Sequence, residues 1–210
     1  MGTGVDSAGG DTLTADVARG FTFNRRHAIG NANLLLEALE FAADRHRDQR
    51  RKDRSQTPYV NHLITVANLI ANVGGVSDPS VLAAAVLHDV VEDVGVTNAE
   101  VAERFGTDVA SLVAEVTDDK TLPSVERKRR QIVHAGDLSP RAKLVKLADK
   151  IANVTDIIER PPTAWTRHRC GEYLAWSEAV VAGCRGTNAG LEQCFDEVLE
   201  RGRTRYPERH

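Results

Sequence analysis

The sequence predicts an all-α domain, and three observations carry that expectation. From about Asn33 onward apolar residues recur at helical spacing, beginning with Leu34, Leu35, Ala38, Leu39 and Ala42. Aromatic residues make up only 5%, while Ala, Leu and Val are abundant, which favours closely packed helices over a β-sandwich or barrel. No segment reads as a convincing strand.

The elements follow in order. Leu34 to Ala42 form the apolar stripe of a first amphipathic helix, and a polar loop, Asp53-Arg54-Ser55-Gln56-Thr57, ends at Pro58. A second helix carries Leu63, Val66, Ala67 and Ile70 on one face and closes at Gly74-Gly75. The third opens near Asp78-Pro79-Ser80 and reads Val81-Leu82-Ala83-Ala84-Ala85-Val86-Leu87, apolar almost all round, so it belongs at the centre of the domain. Thr97-Asn98-Ala99-Glu100 has capping-box spacing and starts a short helix ending near Gly106. Another covers Asp108 to Val116. Pro123 suits the first turn of a helix through Val133, and Ser139-Pro140 starts a long helix to about Val154. Pro161-Pro162 breaks the chain before two last helices, about Thr163 to Val181 and Thr187 to Arg201, separated by Gly183 and Gly186. The expectation is a bundle of about eight or nine helices.

At 210 residues the chain suits one helical domain, expected over residues 31–203. Residues 1–30, with four glycines among the first ten, are expected to form a flexible extension with Phe21 and Phe23 as docking points, and residues 204–210 a tail. Three cysteines without CxxC spacing argue against a disulfide framework or a cysteine-rich zinc site, so a reducing cytoplasm is expected. No apolar run approaches the roughly 20 residues needed to span a bilayer.

A net charge of -3 gives no global basic field, so neither nucleic acid nor membrane is an expected partner. The local distribution is less even. Residues 45–54 hold six bases against two acids, residues 88–119 nine acids against one base, and residues 120–150 nine bases against three acids. An acidic block between two basic ones can fold into a cation site rimmed by phosphate-binding groups; solvated helix faces are the alternative.

The sharpest chemical feature is His88-Asp89-Val90-Val91-Glu92-Asp93, directly after the most apolar helix. At 100° per residue His88 and Glu92 lie one turn apart, as do Asp89 and Asp93, so four titratable groups share one end of a buried helix. A divalent cation there would offset buried negative charge; a surface cluster beyond the core is the alternative. His62 on the second helix and Asp149 near the end of the long helix lie in segments that flank this one in a compact bundle. Two imidazoles with two carboxylates make a mixed site suited to Mn²⁺, Fe²⁺ or Zn²⁺ rather than Mg²⁺ or Ca²⁺.

His62, then His88-Asp89, then Asp149 is similar to the H…HD…D signature of the HD-domain metal-dependent phosphohydrolases. Further segments resemble the small alarmone hydrolase branch, which includes the metazoan SpoT homologue. These are Arg51-Lys52, Thr57 to His62, Thr117 to Pro123, Glu126 to Arg129, Ala142 to Lys150 and Asn153. The resemblance spans about Leu34 to Phe195 and implies an HD-domain helical bundle. It implies hydrolysis of guanosine 3′,5′-bis(diphosphate), and of the pentaphosphate form, at the 3′ position, releasing pyrophosphate and GDP or GTP. It implies one Mn²⁺ on His62, His88, Asp89 and Asp149, with Glu92 and Asp93 positioning and activating water, as metal-assisted hydrolysis requires. Arg51, Lys52 and Asn153 match nucleotide contacts, with Tyr59, Lys120 and Lys146 as further candidates. Two departures concern loop shape: Asp53-Arg54-Ser55-Gln56 lacks the glycine many relatives have, and Leu63 stands where proline is usual.

Two other readings use the same residues. One keeps the site but changes the substrate, to NADPH with its 2′-phosphate or to a deoxynucleotide. The other is a nucleotide-binding regulator without catalysis, against which the intact Glu92 and Asp93 argue.

Overall fold

The computed structural model describes Met1 and residues 31–207; the expected extension, with Phe21 and Phe23, lies outside the described residues apart from Met1, as do residues 208–210. The chain is all-α. In order the helices are α1 (Asn31–Arg45), α2 (Val60–Asn68) continued by a π-helical turn (Leu69–Val73), α3 (Pro79–Leu87), α4 (Val90–Val94), α5 (Asn98–Phe105), α6 (Thr107–Val116), α7 (Ser124–His134), α8 (Pro140–Glu159), α9 (Arg167–Ala182) and α10 (Ala189–Arg205). Among the described residues, β-pairing is limited to one isolated bridge between Arg50 and Pro58.

The expected caps are made. The Asp78 carboxylate accepts from the amides of Ser80 (2.9 Å) and Val81 (3.3 Å), with Pro79 in the first turn of α3. Thr97 and Ser139 cap α5 and α8 in the same way; Thr166 and Asn188 cap α9 and α10, whose starts the sequence places near Thr163 and Thr187. Gly75 takes a left-handed φ of 65° just after the π-helical turn.

The all-round apolar α3 is the centre of the core: Val81 and the run Ala83 to Leu87 are fully buried. It packs against α1, α2, α6 and α8, and α8 in turn meets α9 and α10. Consequently α2, the end of α3 and the middle of α8 converge, which positions the site. No helix among the described residues is long and apolar enough to cross a membrane.

Two departures from the sequence expectation bear on the site and on the limit of the domain; others are the start of α9 at Arg167 and a total of ten α-helices among the described residues. The helix expected to run through His88 to Asp93 is divided: α3 ends at Leu87, and α4 restarts at Val90. The His88 ring supplies a cause, because its Nδ1 donates to the Ala85 carbonyl at 2.8 Å and occupies one of the terminal acceptors of α3. At the other end, α10 runs to Arg205 and Tyr206 is buried, its hydroxyl donating to the Ile157 carbonyl at 2.8 Å. The packed domain therefore reaches Tyr206, beyond the expected limit at residue 203.

Candidate metal and nucleotide site

Adjacent residues on a continuous helix point about 100° apart and do not face one another. The break between α3 and α4 removes that constraint. Asp89, with φ -102° and ψ -3°, turns its carboxylate back so that Oδ2 lies 3.0 Å from His88 Nε2. His62 comes from the buried face of α2, and its Nε2 lies 3.2 Å from Asp149 Oδ1 and 3.9 Å from Asp89 Oδ2. His88 Nε2 lies 3.7 Å from the same Asp149 oxygen. Donor atoms of His62, His88 and Asp149 all fall within 4.8 Å of one another, so these residues could hold a metal ion.

Whether they fit a cation is decided by their unused atoms. His88 and both ring nitrogens of His62 bring buried nitrogens that find no hydrogen-bond partner in the protein: Nε2 of His88, and Nδ1 and Nε2 of His62. Since Nδ1–H of His88 serves Ala85, its Nε2 faces the carboxylates, which favour positive charge there, whether a proton on the ring or, once the ring is neutral, a cation at its lone pair. Two imidazole nitrogens and the Asp149 carboxylate around one point, with the Asp89 carboxylate beside His88 but outside that converging set, are donors a divalent first-row metal takes.

The electrostatics agree. Burial lowers the His62 pKa despite its contact with Asp149. Burial also opposes charge on His88, but Asp89 and Asp149 outweigh it and raise His88 to about 10. Against the cost of burial, His88 holds the Asp89 carboxyl below its ordinary range, and Lys150 does the same for Asp149. Lys150 is buried, its Nζ 3.0 Å from Asp149 Oδ2 and 4.5 Å from the centre of the Trp176 ring.

Glu92 and Asp93 lie on α4 immediately past this cluster. Glu92 Oε2 accepts from the Asp118 amide at 3.3 Å, and burial followed by the charges of Asp118 and Asp89 raises Glu92 to about 6. Asp93 is held on both oxygens, by Lys120 Nζ at 2.5 Å and Gln49 Nε2 at 2.8 Å. Lys120 thus stands at the acidic pair.

A cavity of about 480 Å³ reaches this centre at His62 and Asp93. Arg51, Lys52, Tyr59 and Asn153 all line it, as their candidacy for ligand contact requires. The loop from Arg50 to Pro58 presents the first two. There the Asp53 carboxylate accepts from the Thr57 amide (3.0 Å) and hydroxyl (2.9 Å), and Gln56 takes a left-handed φ of 48° in the segment that lacks glycine. Arg51 Nη2 donates to Asn153 Oδ1 (2.7 Å) and Asp156 Oδ2 (2.8 Å), and Asn153 Nδ2 donates to Asp149 Oδ1 at 2.6 Å. Tyr59 donates its hydroxyl to Asp89 Oδ2 at 2.6 Å. The cavity wall is therefore wired directly to Asp149 and Asp89.

Lys120 and Lys146 do not line the cavity; Lys120 stands at Asp93 instead. Lys146 is buried and donates its Nζ to the Val116 carbonyl at 3.0 Å. The carbonyl end of α6 faces this turn of α8 and claims the ammonium, a favourable partner for a helix C-terminus.

Several site residues carried no assignment from the sequence. Gln49 bridges Asp93 and His46, whose buried ring stacks on Tyr59 at 5.1 Å. Asp156, Trp165 and Tyr173 line the cavity. Asp149, Asn153 and Asp156 form an i, i+4, i+7 row on α8, so Asp156 had a periodic signal. Gln49, Trp165 and Tyr173 had none, since tertiary packing alone brings them in.

A family model for the HD domain matches residues 38–170. This chain belongs to the HD-domain family. The HD dipeptide is His88-Asp89, at the helix break, and the HD domain implies a divalent cation for which His62, His88 and Asp149 are a fitting set. The chain is 51% identical over 169 residues to the guanosine-3′,5′-bis(diphosphate) 3′-pyrophosphohydrolase MESH1 of Xenopus tropicalis, covering 80% of this chain and 94% of that enzyme. It is 52% identical over 174 residues to the human MESH1, covering 82% and 97%. A solved structure, described as a metazoan ortholog of SpoT that hydrolyzes ppGpp and plays a role in starvation responses, superposes with a TM-score of 0.78. It shares 49% identity and covers 80% of this chain and 94% of that one.

Proposed function

We propose that this chain hydrolyses guanosine 3′,5′-bis(diphosphate), and the pentaphosphate form, at the 3′ position, releasing pyrophosphate and GDP or GTP. The observation that carries the reading is the convergence of His62, His88, Asp89 and Asp149 beside a cavity that reaches His62 and is walled by Arg51 and Asn153. The relatives named above support the substrate.

His62, His88, Asp89 and Asp149 would hold one divalent cation, with Mn²⁺ the expected ion and Fe²⁺ or Zn²⁺ also suited to these donors. Such an ion supplies charge for the phosphate oxygens and acidifies water. Glu92, poised near neutrality, accepts a proton from the attacking water, and Asp93, held by Lys120 and Gln49, orients it. The bond between phosphorus and the 3′ oxygen breaks, the water oxygen leaves on pyrophosphate, and the 3′ oxygen takes up a proton. Arg51 and Lys52 meet the nucleotide on the cavity wall, where the Arg51 guanidinium, 5.5 Å from the Tyr59 ring centre, offers a planar surface and a charge. Asn153 reads the ribose or base, Tyr59 keeps Asp89 oriented, and Lys120 adds positive charge at the acidic pair. Three free thiols, Cys170, Cys184 and Cys194, suit a reducing compartment such as the cytoplasm.

The test is product analysis. Manganese-loaded full chain is incubated with the tetraphosphate and, separately, with NADPH, and products are resolved by ion exchange. GDP and pyrophosphate are expected, lost in Asp149→Ala and Glu92→Ala. No turnover by folded, metal-loaded protein, or phosphate release from NADPH alone, overturns the reading.

A further inference from the structure

A second cavity, of about 540 Å³, opens beside the first, and Asp53, Arg160, Pro162 and Trp165 belong to both walls. Its own wall brings together three arginines from distant parts of the chain: Arg54 from the loop before α2, Arg167 at the start of α9 and Arg205 at the end of α10. The volume suits a small ligand.

Charge on this wall is unbalanced. Its two carboxylates are already engaged: Asp53 accepts from Thr57, and Glu159 pairs with Arg201 at 3.2 Å. Asp156, behind Arg160, is shared by Arg51 and Arg160. The ion pairs at this end of the molecule leave Arg54, Arg167 and Arg205 without a carboxylate partner among the described residues.

Two of these arginines are anchored. Arg167 donates to the Arg205 carbonyl, and its guanidinium lies 5.2 Å from the centre of the Tyr206 ring. Arg205 Nε donates to the Tyr206 hydroxyl at 3.2 Å. Tyr206 itself is buried and tied to Ile157, so both side chains sit on a fixed aromatic base. Positively charged forks held in place are suited to phosphate oxygens, which accept two parallel N–H bonds from one guanidinium. The start of the 16-residue α9 adds the positive end of a helix dipole.

We propose that this second cavity binds a phosphate chain, with the Trp165–Pro162 ridge separating it from the nucleotide cavity. The chain is either the distal 5′ phosphates of the nucleotide whose 3′ end reacts, which rests on the function proposed above, or a separate phosphate-bearing small molecule, which does not.

Two measurements on the full chain separate these sources, each comparing wild type with Arg54→Gln and with the Arg167→Gln, Arg205→Gln double variant. Arg54 is exposed and on another element, so it guards against loss of folding in the double variant. In the first, KM and kcat are measured for the tetraphosphate and for an analogue with a bare 5′ hydroxyl. If the substrate supplies the chain, KM for the tetraphosphate rises about tenfold with kcat within about twofold, and the analogue shows no change. In the second, inorganic tripolyphosphate is titrated calorimetrically, and binding about tenfold weaker in both variants is expected. Weakened tripolyphosphate binding with unchanged KM assigns the site to a separate molecule. Unchanged KM together with unchanged tripolyphosphate binding overturns the proposal. Should wild type leave the tetraphosphate intact, the function proposed above fails, and the titration alone decides the cavity.

Discussion

Glu92 gives the most demanding prediction, because one of the charges that raise its pKa, after burial, can be removed without changing shape. Burial, then Asp118, then Asp89 raise Glu92 from 4.5 to about 6. A general base works only as the carboxylate, so activity is full above this value and falls as pH drops through it. With a midpoint near 6, about nine-tenths of Glu92 is ionised at pH 7 and about one-tenth at pH 5, a roughly tenfold loss of rate between them. Asp118→Asn keeps the backbone N–H that Glu92 accepts and deletes the charge that disfavours its ionisation. The acid limb should then move down by about half to one pH unit, the usual effect of one like charge at a partly exposed site. A bound cation shifts both limbs together, so the difference between the proteins is the readout. The assay is kcat/KM against pH from 4.5 to 8 at saturating metal, with Glu92→Gln as the reference that lacks the limb. An acid limb at the same pH in wild type and Asp118→Asn would refute the reasoning.

Three further substitutions probe the scaffold. A Cβ at Gly183 would meet the Ala135 Cβ at 2.7 Å and the Gly136 nitrogen at 2.8 Å, so Gly183→Ala should cost about 1–2 kcal/mol in urea unfolding even though its backbone is helical. Gln56→Gly relieves a left-handed backbone at a cost of about 1–2 kcal/mol for a side chain, partly offset by unfolded-chain entropy, and should stabilise by about 0.5 kcal/mol in the same assay. Lys150→Met leaves Asp149 without its buried cation; thermal stability should fall more with chelator present than with metal, and an equal fall in both would contradict that role.

Much of this molecule is written locally. The capping residues and prolines at Asp78-Pro79, Thr97 and Ser139-Pro140 mark helix starts in the sequence as they do in the structure, and the apolar run of α3 announces its burial. The break at His88-Asp89 was not legible. No glycine or proline lies between Pro79 and Gly95, and the interruption comes from a side chain bonding its own helix at Ala85. Of the residues expected to contact substrate, Arg51, Lys52, Tyr59 and Asn153, each in a motif of fixed spacing, line the cavity. Lys146, on the same row of α8 as Asp149, was misplaced, since its partner is the end of α6, a contact no spacing encodes. Gln49, Trp165 and Tyr173 were invisible for the same reason: each reaches the cavity through contacts distant in sequence.

The claim on which all else depends is that His62, His88, Asp89 and Asp149 form one cation site. Metal content of the purified full chain, measured by plasma emission after equilibration with limiting Mn²⁺, tests it directly. About one ion per chain is expected for wild type, and affinity at least about tenfold weaker in His62→Gln and Asp149→Asn with the circular dichroism unchanged. Wild-type affinity in folded Asp149→Asn would contradict the account.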